Sequence, residues 1–283
     1  MGVTPEEVVV GGVRVGGENP VALIGGPCAI ENETHALKMA EALTRITADL
    51  KVPFIYKSSY DKANRSSGRS YRGPGLIAGL KILSRVRESF GCPVLSDVHL
   101  PSEVAPAAEC LDLLQVPAFL CRQTDLIEAC GRSGKPVNVK KGQFLAPWEM
   151  ANVLEKLRAV GGRQVLLTER GASFGYNNLV VDFRSLKIMR GLGCPVVFDA
   201  THAVQLPGGE GSRSGGERSY VAALARAAVA FGTDALFMEI HEEPDRAPSD
   251  GPTMLPLAEL SRLLQEIQAI QSGLRGLRWR KTC

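Results

Sequence analysis

The chain has 283 residues, and 45% of them are hydrophobic, which is enough for the core of one large α/β domain. A formal net charge of +3 and an aromatic content of 6% argue against a nucleic-acid binder, which needs a basic surface with stacking rings. The sequence shows neither an apolar run long enough to span a membrane nor an export signal. We therefore expect no membrane and no nucleic-acid partner.

The seven cysteines indicate a reducing compartment. Their number is odd, no CxxC spacing occurs, and several lie within apolar runs, as small core residues do. Together with the missing export signal, this pattern predicts a cytoplasmic protein.

The predicted elements alternate along the chain after an N-terminal hairpin. Residues Val8–Val15 alternate around a Gly-Gly pair and predict that hairpin, within a segment of residues 1–20. Eight apolar runs then predict strands at Val21–Gly25, Pro53–Lys57, Pro93–Asp97, Asp112–Val116, Pro136–Lys140, Gln164–Thr168, Pro195–Asp199 and Asp234–Glu239. Helical patterns cover Asn32–Leu50, Gly75–Ser89, Pro101–Glu109, Gln123–Arg132, Pro147–Val160, Arg184–Arg190, Glu217–Phe231 and Leu257–Gln271.

This alternation predicts a (β/α)8 TIM barrel. Strands that are apolar on both faces belong in a parallel sheet covered by helices, and a closed barrel leaves no edge strand unpaired. The alternative is an open doubly wound sheet, against which the count of eight units argues. No linker divides the chain, so we predict one domain over residues 1–283. The longest irregular connections, Ala203–Gly216 and Glu242–Pro252, are typical of lids or disordered loops.

One stretch is rich in cations and small hydrogen-bond donors. The segment Lys57–Gly75 follows a predicted strand and contains five cations against the single acid Asp61. Cations this close repel one another unless an anion lies among them, and a phosphate group accepts several charge-assisted hydrogen bonds at once. The alternative is a solvated basic loop. Because the segment leaves the end of a strand, where α/β proteins hold their sites, we predict that it binds phosphate.

Every predicted strand ends near a polar residue. These residues are Cys28, Lys57, Asp97 with His99, Gln115, Lys140, Arg170, His202, and Glu239 with His241. In a barrel they converge on one mouth, and although any single one could be a capping group, the complete set predicts a functional site. The cations of the strand ends and the basic segment suffice for two anionic groups: Lys57, Lys62, Arg65, Lys140 and Arg170.

A second subset has the donor atoms of a metal site. Cys28, His202, Glu239 and Asp250 combine one thiolate, one imidazole and two carboxylates. This set suits a divalent first-row ion such as Zn, Fe, Mn or Co better than Mg or Ca. The four residues share no spacing motif, however, and a lone cysteine or histidine is more often structural. The residues by themselves leave both interpretations open.

Several long motifs resemble those of one enzyme family. They are KANRSS (Lys62–Ser67), SYRGPGL (Ser70–Leu76), SDVH (Ser96–His99), QVPAFLCRQTDL (Gln115–Leu126), NVKKGQF (Asn138–Phe144), ERGASFGYNNLVVD (Glu169–Asp182), FDATHAVQ (Phe198–Gln205) and SDGPTMLPL (Ser249–Leu257). From about Val21 to its last helix, the chain resembles the 3-deoxy-D-manno-octulosonate 8-phosphate synthases. The resemblance implies a homotetrameric (β/α)8 barrel that condenses phosphoenolpyruvate with D-arabinose 5-phosphate, releasing phosphate, in lipopolysaccharide core-sugar biosynthesis.

The resemblance also implies roles for individual residues. Phosphoenolpyruvate would be bound by Lys62, Lys140 and Arg170, with Lys57 and Gln115 alongside. The sugar phosphate would be bound by Asn64, Arg65 and Ser66, and by Arg122 from a neighbouring subunit. The catalytic candidates are Lys62, Asn64, Asp97, His99 and His202, of which the last three could transfer protons.

The family has two branches, and residue 28 decides between them. One branch binds a divalent metal through Cys, His, Glu and Asp, whereas the other has Asn in place of the Cys and needs no metal. Cys28, with His202, Glu239 and Asp250, implies the metal-dependent branch. Whether the metal polarises the aldehyde or orients water stays open. One departure is Leu100, where members often carry Glu, which leaves the role of that loop open.

Two other functions compete with this prediction. The related synthase that forms 3-deoxy-D-arabino-heptulosonate 7-phosphate from erythrose 4-phosphate shares the barrel and the metal set, but the KANRSS run differs from its KPRTS-like loop. The other competitor is a non-catalytic phosphosugar-binding barrel, because a fold does not by itself imply a function. In either enzyme, we expect the glycine-rich connection Ala203–Gly216 to close over the bound substrates.

Overall fold

Eight parallel strands close into a barrel in the computed structural model, which describes residues 6–64, 67–209 and 214–276. The barrel strands follow one another in chain order, and the last one pairs with both the first and the seventh. Ala235 lies opposite Ala22 on one side and Val197 on the other. The predicted (β/α)8 fold is therefore confirmed, and the open-sheet alternative is wrong.

The strands lie close to their predicted positions. In chain order they are β1 (Val8–Val10), β2 (Val13–Val15), β3 (Ala22–Gly26), β4 (Phe54–Lys57), β5 (Val94–Asp97), β6 (Leu113–Val116), β7 (Val137–Lys140), β8 (Val165–Glu169), β9 (Ala172–Ser173), β10 (Leu179–Val180), β11 (Val196–Asp199), β12 (Gln205–Leu206), β13 (Gly215–Gly216), β14 (Ala235–His241) and β15 (Leu255–Pro256). Strands β1 and β2 form the predicted hairpin. The barrel strands are β3–β8, β11 and β14, and every residue in them is buried.

The helices alternate with the barrel strands. They are α1 (Glu33–Asp49), α2 (Leu76–Phe90), α3 (Pro101–Cys110), α4 (Thr124–Arg132), α5 (Met150–Ala159), α6 (Arg184–Arg190), α7 (Val221–Phe231) and α8 (Leu257–Gly276). Asn32 begins α1, because its side chain accepts a hydrogen bond from the amide of His35, and Gly91 ends α2 in the left-handed conformation. Within the described ranges, no helix is long and apolar enough to cross a membrane.

The hairpin closes the N-terminal end of the barrel. Gly11 lies against Pro93, which precedes β5, and the amide of Val9 donates to the side chain of Gln164, which precedes β8. Three hairpin residues, Val8, Val10 and Val15, are buried in one cluster with apolar side chains of seven of the barrel strands: Ala22, Ile24, Ile55, Leu95, Leu113, Leu166, Val197, Ala235 and Phe237. Burying this apolar surface removes water from the end of the barrel. The polar strand ends therefore surround an opening at the opposite, C-terminal end, which we call the mouth.

The two long connections at the mouth are ordered in their described parts. The ends of Ala203–Gly216 pair through β12 and β13, although residues 210–213 lie outside the described ranges. The connection Glu242–Pro252 contains a 3₁₀ turn and leads to Asp250, whose φ of 52° is unusual for a residue other than glycine. Such a conformation persists only where surrounding contacts hold it, which is typical of functional sites.

Candidate active site

The carboxyl ends of the barrel strands surround one cavity at the mouth. Most of the predicted site residues line it: Lys57, Lys62, Asn64, Asp97, His99, Gln115, Lys140, Arg170, His202, Glu239 and Asp250. The cavity is also lined by side chains that the sequence analysis did not select, among them Ser70, Phe119, Gln143 and Gln205. The structure therefore brings together residues from β4 to the loop after β14.

A few predicted residues lie elsewhere. Cys28 is completely buried beside the cavity rather than in its wall. Arg122 is exposed before α4 and does not line the cavity. Arg65 and Ser66 lie outside the described residues, so their predicted contacts with a sugar phosphate stay predictions. The placement of His241 at the mouth was wrong, because β14 continues past the barrel to pair with β15 and carries the histidine beyond the cavity.

Lys57 is held by the barrel itself. Its Nζ atom donates hydrogen bonds to Glu239 Oε1 at 2.9 Å and to the carbonyl oxygen of Cys28 at 3.0 Å. Lys62 Nζ lies 3.5 Å from the same Glu239 oxygen and reaches the cavity from the basic segment. The buried carboxylate of Glu239 lies between the two ammonium groups and compensates their charges, since burying an uncompensated charge costs several kcal/mol of folding free energy. Lys62 is thus placed to meet an anion, whereas Lys57 mainly organises the wall behind it.

Asp199, at the end of β11, is a site residue that the sequence analysis missed. Its Oδ2 atom lies 2.6 Å from Lys140 Nζ and 2.8 Å from His202 Nδ1. Its Oδ1 atom accepts hydrogen bonds from the hydroxyl of Thr201 and the amide of His202. Asp199 is the last residue of a buried strand, and that position is the signal by which the sequence could have revealed it. The carboxylate fixes the lysine and the imidazole relative to each other.

The charges of the mouth keep its carboxylates ionised. Burial opposes ionisation of Asp97, but the charges of Lys57, Lys62 and Lys140 hold its pKa well below the usual range. Burial likewise opposes ionisation of Glu239, yet the charges of Lys57 and Lys62 hold its pKa well below the usual range. For Lys140, burial outweighs the attraction of Asp199 and lowers the pKa of the ammonium group. The cavity is therefore a preorganised set of paired charges rather than a solvated basic patch.

Asp97 is oriented through both of its oxygens. Oδ2 accepts a hydrogen bond from the hydroxyl of Ser59 at 2.5 Å, and Oδ1 accepts one from Gln115 Nε2 at 2.6 Å. With both oxygens engaged and its pKa depressed, Asp97 is poorly suited to donate a proton at neutral pH. Among the three predicted proton-transfer groups, the geometry therefore favours the two histidines.

The loop with Leu100 is organised by a different acid. Leu100 is exposed and precedes the first turn of α3, so it supplies no polar group to the cavity. Instead, Glu103 accepts hydrogen bonds from the amide of His99 at 2.9 Å and the hydroxyl of Tyr60 at 2.7 Å. The histidine ring itself packs edge-on against Tyr60. Glu103 thereby holds the backbone of His99, which lines the cavity.

A thiol and two carboxylates form a compact group beside the cavity. Ligand atoms of Cys28, Glu239 and Asp250 all lie within 4.8 Å of one another. Gly26 precedes Cys28 at the end of β3 and lets the backbone approach β4 closely, because a Cβ atom there would lie only 2.1 Å from the carbonyl oxygen of Lys57. His202 stands next to the group, with Nε2 3.9 Å from Glu239 Oε1. The four predicted ligands are therefore neighbours in space.

The chemistry of these four residues fits a divalent metal ion. Glu239 Oε2 is buried and has no hydrogen-bond partner among the described residues, so a ligand atom is available. Burial and the nearby Asp250 raise the pKa of the Cys28 thiol well above its usual value, so without a cation it stays protonated and donates to Asp250 Oδ2 at 3.0 Å. Asp199 lies beside Nδ1 of His202 and orients the ring so that Nε2 faces the group.

A second group of possible ligands lies beyond the mouth, but its hydrogen bonds serve a different purpose. The amide of Glu243 donates to Nδ1 of His241, which leaves the proton of a neutral ring on Nε2. That nitrogen lies 2.8 Å from Glu31 Oε1, while Nε2 of His35 lies 3.2 Å from Glu242 Oε2. Because Nε2 of His241 carries its proton, the group of Glu31, His35 and His241 does not hold a metal. Its hydrogen bonds instead connect α1 and the residues between β3 and α1 to the loop after β14.

The barrel, its cationic cavity and a thiol–carboxylate group that could hold a metal ion are features of (β/α)8 enzymes that act on phosphorylated substrates. Comparison with known proteins agrees with this class. The DAHP synthetase I family matches residues 3–274, and the chain belongs to this family.

Curated relatives narrow the identification within that family. A protein of Syntrophotalea carbinolica named 2-dehydro-3-deoxyphosphooctonate aldolase is 59% identical over 272 residues, which cover 96% of this chain and 98% of the relative. Proteins with the same name from Geobacter metallireducens and Trichlorobacter lovleyi are also 59% identical and cover 94% and 95% of this chain, respectively, and 98% and 99% of their own length. The family resemblance predicted from the motifs is thereby confirmed.

Proposed function

We propose that this chain condenses phosphoenolpyruvate with D-arabinose 5-phosphate and water, giving 3-deoxy-D-manno-octulosonate 8-phosphate and phosphate. The activity is that of a 3-deoxy-8-phosphooctulonate synthase, a transferase of lipopolysaccharide core-sugar biosynthesis. The observation that carries the proposal is one cavity lined by Lys62, Lys140 and Arg170 together with Asn64, in a chain 59% identical to proteins named for this reaction. A cytoplasmic location is part of the proposal.

The charged residues of the mouth divide between the two substrates. Lys62, Lys140 and Arg170 would bind phosphoenolpyruvate, with Gln115 alongside and Lys57 supporting the wall. Arg170 is buried in the wall of the cavity, and burial lowers the pKa of its guanidinium group. D-Arabinose 5-phosphate would lie toward the outer rim, bound by Asn64, Arg65 and Ser66 of the basic segment. Neutralising both anions removes the repulsion that keeps them apart in water.

The reaction requires one new carbon–carbon bond and one lost phosphate. C3 of phosphoenolpyruvate attacks the aldehyde carbon of the sugar, and the aldehyde oxygen takes up a proton. Water adds to C2 and loses a proton, and the tetrahedral intermediate expels phosphate as its C–O bond breaks. Lys62 and Asn64 position the reacting groups. Of the two histidines that line the cavity, His99 is the proton carrier when His202 holds a metal ion, because Nε2 of His202 then binds the ion and its Nδ1 faces Asp199.

Cys28, His202, Glu239 and Asp250 would hold a divalent ion, of which Zn, Fe, Mn and Co suit the donor set. When bound, such an ion acts as a Lewis acid that polarises the aldehyde or orients the water. The fourth ligand, His202, also contacts Asp199, which lies against Lys140. The metal group and the phosphoenolpyruvate subsite are therefore connected by a single carboxylate.

A phosphate-release assay with two aldehydes tests this function. We expect rapid release from phosphoenolpyruvate with D-arabinose 5-phosphate, slow release with erythrose 4-phosphate, and loss of activity after chelator treatment that added divalent metal restores. Faster turnover of erythrose 4-phosphate would instead support the heptulosonate synthase. Binding of both substrates without phosphate release would support the non-catalytic barrel, and full activity after complete metal removal would contradict the metal-dependent branch.

The chain is further proposed to act as a homotetramer in which Arg122 serves a neighbouring subunit. Its side chain is exposed before α4 and does not line the cavity of its own subunit, which is compatible with such a role. We expect R122A to raise the KM for D-arabinose 5-phosphate by about 10- to 100-fold, because a charge-assisted hydrogen bond to phosphate is worth about 1.5–3 kcal/mol. Light scattering should give the mass of a tetramer for both proteins; a fully active monomer would contradict the proposal.

A further inference from the structure

A row of buried polar side chains crosses the barrel from β8 to β5. The hydroxyl of Thr168 lies 2.6 Å from Asn138 Oδ1, and Asn138 Nδ2 lies 2.8 Å from Gln115 Oε1. The row ends where Gln115 Nε2 lies 2.6 Å from Asp97 Oδ1. Thr168 and Asn138 are fully buried and do not line the cavity, whereas the other two residues do. The row thus links two residues that a substrate cannot touch to two that it can.

The direction of every hydrogen bond in this row follows from the charge of Asp97. An ionised carboxylate only accepts hydrogen bonds, and three lysines keep Asp97 ionised. Gln115 must therefore turn its amide nitrogen to Asp97 and its oxygen to Asn138. Asn138 must in turn direct its nitrogen to Gln115 and its oxygen to Thr168, whose hydroxyl donates. The row has one internally consistent orientation, which removes the usual ambiguity between amide oxygen and nitrogen.

We propose that Asn138 and Thr168 are positioning residues that hold the Gln115 amide in the one orientation that donates to Asp97. Gln115 without this support could turn its amide by half a rotation and place its oxygen against the carboxylate. The resulting repulsion would displace Asp97 from the lysines that bind the anionic substrate. The inference rests on the proposed function for the identity of that substrate, phosphoenolpyruvate.

The variant N138D reverses the polarity of the row with almost no change in shape. A carboxylate at position 138 would repel Gln115 Oε1, so the amide would turn and present its oxygen to Asp97. We expect kcat/KM for phosphoenolpyruvate to fall by about 100-fold, as when a buried polar group loses its partner. Calorimetric titration with phosphoenolpyruvate alone should show a similar loss of affinity, so that the effect is measured apart from turnover.

Two variants of Thr168 test the end of the row opposite Asp97 with smaller expected effects. T168V removes the donating hydroxyl while keeping the side-chain shape, and we expect about 5-fold weaker phosphoenolpyruvate binding. T168S keeps the hydroxyl and should restore binding to within about twofold of the unmodified chain. The matched control is T233V, because Thr233 is equally buried but donates to Val196 O at the N-terminal end of the barrel. T233V should lower the unfolding temperature without changing phosphoenolpyruvate affinity.

These outcomes distinguish positioning from simple core filling. Folded N138D or T168V with unchanged phosphoenolpyruvate affinity would overturn the inference, as would equal losses in T168S, T168V and T233V. If N138D does not fold, the comparison of T168V with T168S decides. If the unmodified chain does not bind phosphoenolpyruvate, the proposed function fails first, and this inference falls with it.

Discussion

Replacing Asp199 with asparagine is expected to lower kcat/KM for phosphoenolpyruvate by about 100-fold. A loss of this size is typical when a carboxylate that fixes the orientation of a metal-binding side chain is removed. Asparagine keeps one oxygen, which the hydroxyl of Thr201 and the amide of His202 would retain. Its NH2 group would then face Lys140 Nζ and His202 Nδ1, where the carboxylate oxygen now lies at 2.6 and 2.8 Å. Donors would oppose donors, and the lysine would lose its only compensating charge within hydrogen-bonding distance among the described residues.

Steady-state kinetics and metal titration measure this effect together. D199N should raise the KM for phosphoenolpyruvate through Lys140 and weaken metal binding through His202. The control is D182N, because Asp182 is an exposed carboxylate that pairs with Arg184 on the surface and should leave both quantities unchanged. Kinetics of D199N indistinguishable from those of D182N would contradict the role assigned to Asp199.

The second large effect is expected for Glu239→Gln, which should destabilise the metal-free protein by about 3–5 kcal/mol. The carboxylate is fully buried between Lys57 and Lys62. A neutral amide could still accept the Lys57 hydrogen bond through its oxygen, but it would remove the negative charge that compensates the buried ammonium group. The cost is that of an uncompensated buried charge. Denaturant unfolding of chelator-treated protein measures it, without any contribution from bound metal.

Cys28→Ser is the matched comparison for this variant. A serine hydroxyl can still donate toward Ser249 and Asp250, as the thiol does at 3.0 Å, and no lysine charge depends on it. We therefore expect C28S to change the free energy of unfolding by less than about 1 kcal/mol. Both C28S and E239Q should bind divalent metal more weakly, because each lacks one proposed ligand. A normal metal affinity in C28S would remove Cys28 from the ligand set, and a stable E239Q would show that Lys57 does not need the carboxylate.

Much of the fold could be predicted from the sequence because its strands are apolar on both faces. The run from Pro53 to Tyr56, for example, contains no charged residue and ends at Lys57, and β4 occupies Phe54–Lys57. Errors occur where pairing rather than composition decides. Strand β14 extends to His241 because it pairs with β15, and the pairs β9–β10 and β12–β13 are too short for a periodic signal.

Sequence alone determined the order of the elements and the kinds of side chain at the strand ends, since both depend on local patterns of apolar and polar residues. Only the tertiary structure decided which of these side chains are partners. Lys57 and Glu239 are 182 positions apart in the chain, and no local pattern relates them. Closure of the barrel brings them to 2.9 Å, places Asp199 between Lys140 and His202, and carries His241 away from the cavity. Such distances between residues remote in the chain are set by strand register, which exists only once the sheet has formed.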